Sequence, residues 1–351
     1  MPDAVGNPVS ETHSRECAQG MTRKSEFSAH SGILPQRSAM SGRITVIGSA
    51  NVDFFMRVPH LPARGESVNG GPFSRSFGGK GSNQALSARR SGSEVAGVFA
   101  LGDDAYAREL LSLYAREGID ASHVKIYERM GCGTGIILVD AEGDNAIATD
   151  WGANGAMTPG DVDRAEEAIA ASDMIMLQME IPDPAVARGM ELAVRHGVPI
   201  MLNYAPARPS DLVLTPEVDI LVVNESEASI LAGMTVDTPR SAGKAAKGLL
   251  RNGHRVVIVT LGAAGCWVAG EGMDEHIPAF SVQAKDATAA GDTFCGALAS
   301  AITGGLSLAR AIRYANAAGA LCVGVPGALP SIPGKGMIDD FLRVQDTEHY
   351  T

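Results

Sequence analysis

The sequence has few of the features that mark disulfide frameworks, metal clusters and membrane spans. Its five cysteines are scattered over 351 residues and form no Cys-x-x-Cys pair, which argues against a zinc site and a disulfide framework. The histidines are isolated and lack the spacing of metal ligands. No run of about 18 apolar residues occurs. We therefore expect a cytoplasmic protein without a membrane span.

Basic charge is also scarce. The chain has 29 Lys and Arg against 40 Asp and Glu, a net charge of −11. This balance is a poor match to the phosphate backbone of DNA or RNA and disfavours a nucleic-acid partner. It remains compatible with a small phosphorylated ligand, because backbone N–H groups can bind phosphate on an acidic protein. Hydrophobic residues make up 45%, which is enough for a substantial core.

The first 40 residues differ from the rest. They are rich in Ser, Gly, Pro and Arg, show no apolar periodicity and lack the apolar run of a secretory signal. We predict a disordered extension over residues 1–40, one folded domain over residues 41–346 and a tail over residues 347–351. Alternatively, Met40 is the natural start of the protein. A transit peptide is less favoured, because acidic residues such as Glu11 and Glu16 are unusual in one.

From residue 43 onward, apolar runs alternate with helical periodicity. The pattern predicts strands at residues 43–49, 95–100, 173–177, 199–203, 220–223 and 256–260. It predicts helices at residues 79–91, 103–116, 183–195, 225–231, 240–251, 290–303, 308–323 and 337–344. Such alternation indicates a parallel sheet covered on both faces. Ligands bind beyond the carboxyl ends of such strands, so residues just after each strand are site candidates.

Two further segments indicate smaller β-structure. Residues 135–140 and 146–150 alternate around Glu142-Gly143-Asp144, which predicts a hairpin. The stretch at residues 58–76 is punctuated by Pro and Gly and has room for short strands.

The segment Ala-Ala-Gly-Asp-Thr-Phe at residues 289–294 leads into a strongly helical run. Small residues at a helix start let an anion approach the free N–H groups, where the helix dipole favours negative charge. A carboxylate there, Asp292, can accept a proton from an alcohol, which suits phosphoryl transfer. The alternative interpretation is that Asp292 only stabilises the helix start.

Two other segments carry groups suited to ligands. Residues 77–84 (FGGKGSNQ) surround a lysine with glycines but lack the Walker spacing, and a plain turn before a helix is the alternative. In residues 48–53 (GSANVD), Asn51 and Asp53 point to the same side of a strand by its period of two. An amide beside a carboxylate can bind a sugar diol, although both residue types also simply end strands.

Five motifs in one order resemble the ribokinase family. The three above are joined by Asn-x-x-Glu at residues 224–227 and Thr-Leu-Gly-x-x-Gly at residues 260–265. Each motif is weak alone, but five in this order are specific, and the resemblance covers about residues 43–345. It implies a three-layer α/β sandwich with a mainly parallel sheet. It also implies a small β-sheet lid at about residues 51–76 and 133–150.

The resemblance further implies ATP-dependent phosphorylation of ribose at O5, with Mg²⁺ and a potassium activator. Asp292 would be the general base, beside an anion hole made by the N–H groups of Ala289, Ala290, Gly291 and Asp292. The implied sugar ligands are Asn51, Asp53, Gly79, Lys80, Asn83, Glu180 and Asp292. The implied nucleotide ligands are Asn224, Glu227, Thr260, Gly262, Gly265, Gly291 and Asn316. Glu227 would organise Mg²⁺ and phosphate through water.

The implied cation positions, several of them acting through carbonyl oxygens, are Asp286, Thr288, Cys322, Val325, Gly327 and Ser331. The chain departs from the family pattern at Ala287, where a threonine is usual, which puts the cation site in question. It is also unusually aromatic at Phe54 and Phe55, which could reshape the lid.

A lid over the sugar would exclude water, which competes as acceptor of the phosphoryl group. Because exposed edges and apolar faces on such a flap are costly, we expect a homodimer joined through the lids. The first alternative function is a kinase for another furanose or a nucleoside. The second is a sugar-binding regulator without catalysis, against which the presence of Asp292 speaks.

Overall fold

A central sheet with helices on both faces organises the chain. The computed structural model describes residues 41–210, 212, 215 and 217–348, so the predicted extension over residues 1–40 and the last three residues of the predicted tail lie outside it. The strands are β1 (Arg43–Ile47), β2 (Asn51–Arg57), β3 (Phe73–Gly78), β4 (Glu94–Val98), β5 (Ala100–Gly102), β6 (Lys125–Tyr127), β7 (Gly133–Val139), β8 (Asn145–Asp150), β9 (Met174–Gln178), β10 (Ile200–Asn203), β11 (Ile220–Asn224), β12 (Val256–Thr260), β13 (Cys266–Gly270) and β14 (Met273–Ile277). The helices are α1 (Lys80–Arg90), α2 (Ala105–Glu117), α3 (Pro159–Asp163), α4 (Glu166–Ala170), α5 (Asp183–His196), α6 (Glu225–Ala232), α7 (Pro239–Leu250), α8 (Ala290–Thr303), α9 (Leu308–Val323) and α10 (Lys335–Glu348).

The central sheet has eight strands in the order β14-β13-β12-β11-β10-β9-β1-β4. The six strands from β12 to β4 pair in parallel, whereas β13 and β14 continue the sheet antiparallel at one edge. The predicted fold, a sandwich with a mainly parallel sheet, is confirmed. Its consequence is that the carboxyl ends of six strands share one edge, where polar residues such as Gln178, Asn203 and Thr260 collect.

Each parallel strand buries both of its faces, which explains the continuous apolar runs. Met174 and Met176 of β9 pack into the core on one side, and Ile175 and Leu177 into the core on the other. All four side chains are almost completely buried. Burial of an aliphatic side chain of this size stabilises a fold by about 1.5–3 kcal/mol, so these runs hold the strand ends in place.

A second, four-stranded sheet has the order β3-β2-β7-β8. Its strands fall in the two segments predicted as a lid, except that β3 continues two residues beyond residue 76, and β7 and β8 form the predicted hairpin around Gly143. In the register of β2 on β7, Asn51 lies opposite Gly133 and Asp53 opposite Gly135. Three apolar side chains on this sheet, Phe73, Ile136 and Ile147, are more than half exposed.

The predicted helices are all present, with ends that differ by at most four residues. The predicted strand at residues 95–100 was wrong as a single strand, because the chain changes sheet at Phe99. That side chain turns into the core and packs on Tyr114 with ring centroids 5.3 Å apart, so β4 ends and β5 pairs with β6 instead. In the part of the chain that the structure describes, no helix has the length and apolarity to cross a membrane.

Candidate active site

Three segments far apart in the sequence meet beyond the carboxyl ends of β1 and β9. Ser49 follows β1, Glu180 follows β9, and Lys80 begins α1. The Glu180 Oε2 atom accepts hydrogen bonds from the Ser49 hydroxyl at 2.5 Å and from the Lys80 backbone N–H at 3.0 Å. Glu180 therefore fastens the glycine-rich start of α1 to the edge of the central sheet.

Asp292, in the first turn of α8, joins this group. Its carboxylate is 7% exposed and accepts from Asn83 Nδ2 at 2.9 Å and from Gln84 Nε2 at 3.0 Å. Each carboxylate oxygen thus has one protein donor and retains a lone pair for another. The Asn83 Oδ1 atom beside it is buried and has no partner among the described residues. A buried acceptor of this kind is normally satisfied by a ligand or water.

The N-terminal end of α8 is open to an anion. Ala289 precedes the helix in the left-handed region, at φ 61°, and no side chain among the described residues caps the helix. A Cβ at Gly291 would meet no atom within 4 Å. The first-turn N–H groups lack intrahelical partners, so the space beside Gly291 is suited to bind negative charge. The four predicted anion-hole residues, Ala289, Ala290, Gly291 and Asp292, all lie here.

Charge is concentrated around Lys80. Burial, the largest influence, would lower the pKa of Lys80, but three carboxylates outweigh it and raise the pKa: those of Asp292, Glu180 and Glu227. Burial raises the pKa of Asp53 to about 6, with a further contribution from the negative charges of Glu180 and Asp292. The site therefore combines an ammonium group whose charged form the carboxylates favour with a carboxyl group whose pKa is raised to about 6.

Asn51, at the start of β2, is held by a residue to which the sequence assigned no role. Asn154 donates from Nδ2 to Asn51 Oδ1 at 2.8 Å, and its own Oδ1 accepts from the Ala50 N–H at 3.0 Å. A Cβ at Gly133 would lie 2.1 Å from Asn154 Nδ2 and 2.3 Å from Asn51 Oδ1, so a larger residue there would displace this hydrogen bond. The second sheet and the segment after β8 thereby position Asn51 together.

Gly79 lies where the start of α1 approaches the start of β2, and its replacement by alanine is expected to destabilise the fold. It has φ 86°, and a Cβ would lie 2.8 Å from Ala50 Cα and from Asn51 N. Because strain adds to a backbone clash, we expect Gly79→Ala to lower the melting temperature by about 10 °C. Circular dichroism during heating measures this change.

Gly143→Ala is the matched control for Gly79→Ala. Gly143 has φ 91°, but a Cβ there would meet nothing within 4 Å. We expect it to lower the melting temperature by only about 3 °C, since backbone strain alone remains. Equal shifts in the two variants would contradict the close contact of Gly79 with β2.

The predicted nucleotide residues gather beyond the ends of β11 and β12. Asn224 and Glu227 form a capping box on α6, in which Asn224 Oδ1 accepts from the Glu227 N–H and Glu227 Oε2 accepts from the Asn224 N–H, both at 2.9 Å. Burial is the main cause that raises the pKa of Glu227. Thr260 Oγ1 donates to the Val223 carbonyl at 3.3 Å, which joins the two strand ends.

The remaining nucleotide positions lie in the adjoining turn. Gly262 and Gly265 have positive φ, and a Cβ at Gly265 would lie 2.1 Å from the Ile277 carbonyl oxygen. Asn316, on α9, is buried and donates from Nδ2 to the Pro278 carbonyl at 3.4 Å. The turn after β12, the end of β14 and α9 are therefore brought side by side.

The predicted cation positions form a connected network around the loop before α8. Asp286 accepts from Thr288 Oγ1 at 2.6 Å and from the Gly327 N–H at 2.8 Å. Burial alone would raise the pKa of Asp286, but these hydrogen bonds lower it. Cys322 Sγ lies 3.1 Å from Ser331 Oγ and 3.6 Å from the Thr288 carbonyl oxygen. The loop, the end of α9 and residues 327–331 are thus tied together.

Val325 and Ala287 take part in this network through their backbone groups. Val325 is 39% exposed, and its N–H donates to the Cys322 carbonyl at 3.1 Å. At the departure from the family pattern, the Ala287 carbonyl accepts from the Ala290 N–H at 3.2 Å. The backbone at Ala287 therefore supports the start of α8 although its side chain carries no hydroxyl.

A chain of buried amides behind Asp292 was missed by the sequence analysis. Gln84 also donates to Asn203 Oδ1 at 3.1 Å, and Gln178 donates from Nε2 to Gln84 Oε1 at 2.7 Å. Gln178 and Asn203 end β9 and β10, so their position after a strand was the available signal. Their partners could not be read from the sequence.

Comparison with known proteins bears on the family to which the chain belongs. The sequence model described as pfkB family carbohydrate kinase matches residues 41–335. The ribokinase of Haemophilus influenzae is 37% identical over 304 residues, which cover 87% of this chain and 99% of that protein. The deoxyribokinase of Salmonella typhi is 33% identical over 304 residues, covering 86% of this chain and 99% of that protein.

A solved structure extends the likeness to the fold. The structure of Arabidopsis thaliana ribokinase complexed with ribose and ATP matches with a TM-score of 0.80 and 30% identity, and the match covers 86% of this chain and 99% of that one. The family resemblance inferred from the five motifs is confirmed, and the chain belongs to the pfkB family of carbohydrate kinases.

Proposed function

We propose that this chain transfers the γ-phosphoryl group of ATP to O5 of D-ribose. The observation that carries the proposal is the buried Asp292 carboxylate in the first turn of α8, directly beside the open helix end at Gly291. A base and an anion-binding site are adjacent there, as phosphoryl transfer to an alcohol requires. Ribose is favoured because relatives named ribokinase match over nearly their whole length.

The reaction follows from this arrangement. Asp292 accepts the proton of the O5 hydroxyl as the bond from O5 to the γ-phosphorus forms and the bond to the β,γ-bridging oxygen breaks. The N–H groups of residues 289, 291 and 292 would stabilise the negative charge on the transferring group, and the Ala290 N–H would join them by leaving the Ala287 carbonyl. Lys80, whose pKa is raised by the surrounding carboxylates, balances the charge of Asp292 and Glu180. The products are ribose 5-phosphate and ADP.

The sugar would lie between the second sheet and the start of α1. Asn51 and Asp53 of β2 would accept and donate hydrogen bonds from one side, and Asn83 with its unpaired Oδ1 from the other. Glu180, Gly79 and Lys80 would complete the wall. A diol is bound well by paired carboxylate and amide groups, which supports a furanose as the acceptor.

Sugar affinity should fall in mild acid. Asp53 has its pKa raised to about 6, and only its ionised form accepts hydrogen bonds on both oxygens. Between pH 7 and pH 5 the ionised fraction falls about tenfold, so we expect the Kd for ribose to rise about tenfold. Calorimetric titration without nucleotide measures this. A Kd that is constant over this range, or an unchanged pH dependence in Asp53→Asn, would contradict the assignment.

ATP would bind along Asn224, Thr260, Gly262, Gly265 and Asn316. The described residues contain no group of three His, Cys, Asp or Glu placed to hold a metal, and one buried carboxylate, Glu227, lies at this site. That donor set fits Mg²⁺, which keeps several waters and is held largely by the substrate's phosphates. When bound, Mg²⁺ would neutralise charge on the phosphates, and Glu227 would position it through water.

The loop behind α8 would hold a monovalent cation, for which potassium is the candidate. Its donors are the Asp286 carboxylate with carbonyl and hydroxyl oxygens at Thr288, Cys322, Val325, Gly327 and Ser331. Oxygen donors of this kind suit a weakly hydrated cation, whose charge would order the loop. Initial rates and melting temperatures in potassium against lithium chloride test this. Equality of both quantities would contradict it.

A homodimer joined through the second sheets is the proposed assembly, and the cytoplasm the proposed location. Ile147 of β8 is 60% exposed. It pairs with Ile137 of β7, so both side chains lie on the face of the second sheet that carries Asp53. Apolar side chains on such a flap are expected to be covered. Sedimentation velocity should give twice the 36.4 kDa chain mass, and Ile147→Glu should give monomers. A monomeric parent protein would contradict the proposal.

A phosphorylation screen tests the choice of sugar. Release of ADP should be fastest with ribose among ribose, 2-deoxyribose, fructose and ribonucleosides. Deoxyribose is the second candidate, because the Salmonella typhi deoxyribokinase is 33% identical. Faster turnover of another acceptor would reassign the substrate within the family. Ribose binding without ADP release from any acceptor would instead favour a regulator.

A further inference from the structure

Gln84 donates a hydrogen bond to the proposed base and also bonds two other buried amides, although no role was assigned to it. Its side chain is completely buried between α1 and α8. Its Nε2 donates to Asp292 Oδ1 at 3.0 Å and to Asn203 Oδ1 at 3.1 Å, while its Oε1 accepts from Gln178 at 2.7 Å. All three hydrogen-bond partners of this amide are themselves buried polar side chains.

The orientation of the Gln84 amide follows from these partners. Asp292 and Asn203 present oxygen atoms, so Gln84 must turn its NH₂ group toward them. Gln178 then donates to the remaining oxygen. If the amide were reversed, its oxygen would face the Asp292 carboxylate and its NH₂ group the donor of Gln178. Both contacts would be repulsive in a buried site.

We infer that Gln84 is a positioning residue that holds the Asp292 carboxylate in its reactive orientation. The inference rests on the proposed function, in which Asp292 is the base. Asn83 and Gln84 are consecutive in α1 and each occupies one carboxylate oxygen. Rotation of the carboxylate would break both bonds. The remaining lone pairs therefore keep a constant direction.

Gln84→Met and Gln84→Glu test this role. Loss of a hydrogen bond to a charged group should lower kcat of Gln84→Met about 10- to 100-fold, with the ribose KM changed by less than about threefold. Gln84→Glu should lose more activity, because it places a second carboxylate against Asp292. An unchanged kcat in both variants would overturn the inference.

Ser87→Ala is the matched control. Ser87 is buried on the same helix. Its hydroxyl donates to the backbone carbonyl of Thr293, the residue that follows Asp292, at 2.7 Å. Its loss weakens the contact between α1 and α8 without touching a carboxylate. We expect a lowered melting temperature and an unchanged kcat. A fall in kcat equal to that of Gln84→Met would overturn the specific role of Gln84.

A stability measurement separates this inference from the proposed function. Gln84→Glu should lower the melting temperature, and adding Asp292→Asn should restore most of the loss, because the asparagine can donate to the new glutamate. This recovery does not depend on activity. No recovery would overturn the inference that the pair interacts through the Asp292 charge. Near-normal activity of Asp292→Asn alone would instead overturn the proposed function.

Discussion

Asp292→Asn is expected to lower kcat about a thousandfold or more while the protein stays folded. The substitution removes the group that accepts the O5 proton, and general-base catalysis at such a site contributes about 10²- to 10⁴-fold. The side chain keeps its size, and Gln84 can still donate to the asparagine oxygen. A coupled assay of ADP release at saturating ribose and ATP measures the change.

The stability of Asp292→Asn needs its own measurement. The new NH₂ group would face the NH₂ group of Asn83, so the Asn83 amide must turn its Oδ1 atom toward it to restore a hydrogen bond. We therefore expect a melting temperature lower by only a few degrees, roughly the cost of one hydrogen bond. Asp340→Asn, at an exposed ion pair with Arg343, is the control and should change neither quantity. A kcat of Asp292→Asn within tenfold of the parent would remove Asp292 from the mechanism.

Asp53→Ala is expected to raise the Kd for ribose about 100-fold and to leave ATP binding unchanged. Hydrogen bonds from sugar hydroxyls to an ionised carboxylate are each worth about 1.5–3 kcal/mol, and loss of about 3 kcal/mol corresponds to roughly 100-fold in affinity. Asp53 lies on β2 of the second sheet, whereas the turn that would hold the nucleotide follows β12 of the central sheet. Calorimetric titration with each ligand measures the two affinities separately.

The stability of Asp53→Ala provides the control for this effect. The pKa of Asp53 is raised to about 6 by burial and by Glu180 and Asp292, so its ionised form is unfavourable in the folded protein. A group whose pKa is raised in this way destabilises the fold above its usual pKa. The variant should therefore melt no lower than the parent at pH 8. A weakened ribose affinity together with a large fall in melting temperature would indicate that the variant is misfolded, and would contradict a direct role of the Asp53 carboxylate in binding ribose.

The sequence was informative wherever the physical cause is local. The apolar run around Met174–Gln178 buries both faces of one strand, so its composition alone predicts a central strand. The hairpin of β7 and β8 follows from the turn residues around Gly143. The glycine and small residues before Asp292 predict a helix whose first turn is open. Each of these patterns acts within one element or between adjacent elements.

The family could also be inferred from the sequence, but for another reason. Five short motifs in one order are specific even though none of them is specific alone, and the match over residues 41–335 agrees. The order of motifs along the chain carries this information without any statement about contacts. It therefore named residues such as Asp53 and Asn224 as site candidates without indicating what surrounds them.

Tertiary structure alone decided which polar groups meet. Gln84 and Asp292 are 208 residues apart in the sequence, and Asn154 reaches Asn51 from 103 residues away. The end of β4 depends on Phe99 turning toward Tyr114. Local patterns specify strands, helices and an open helix end, because their hydrogen bonds and apolar periodicity are short in range. The partners of a buried amide or ring depend on how whole elements pack, which no local pattern contains.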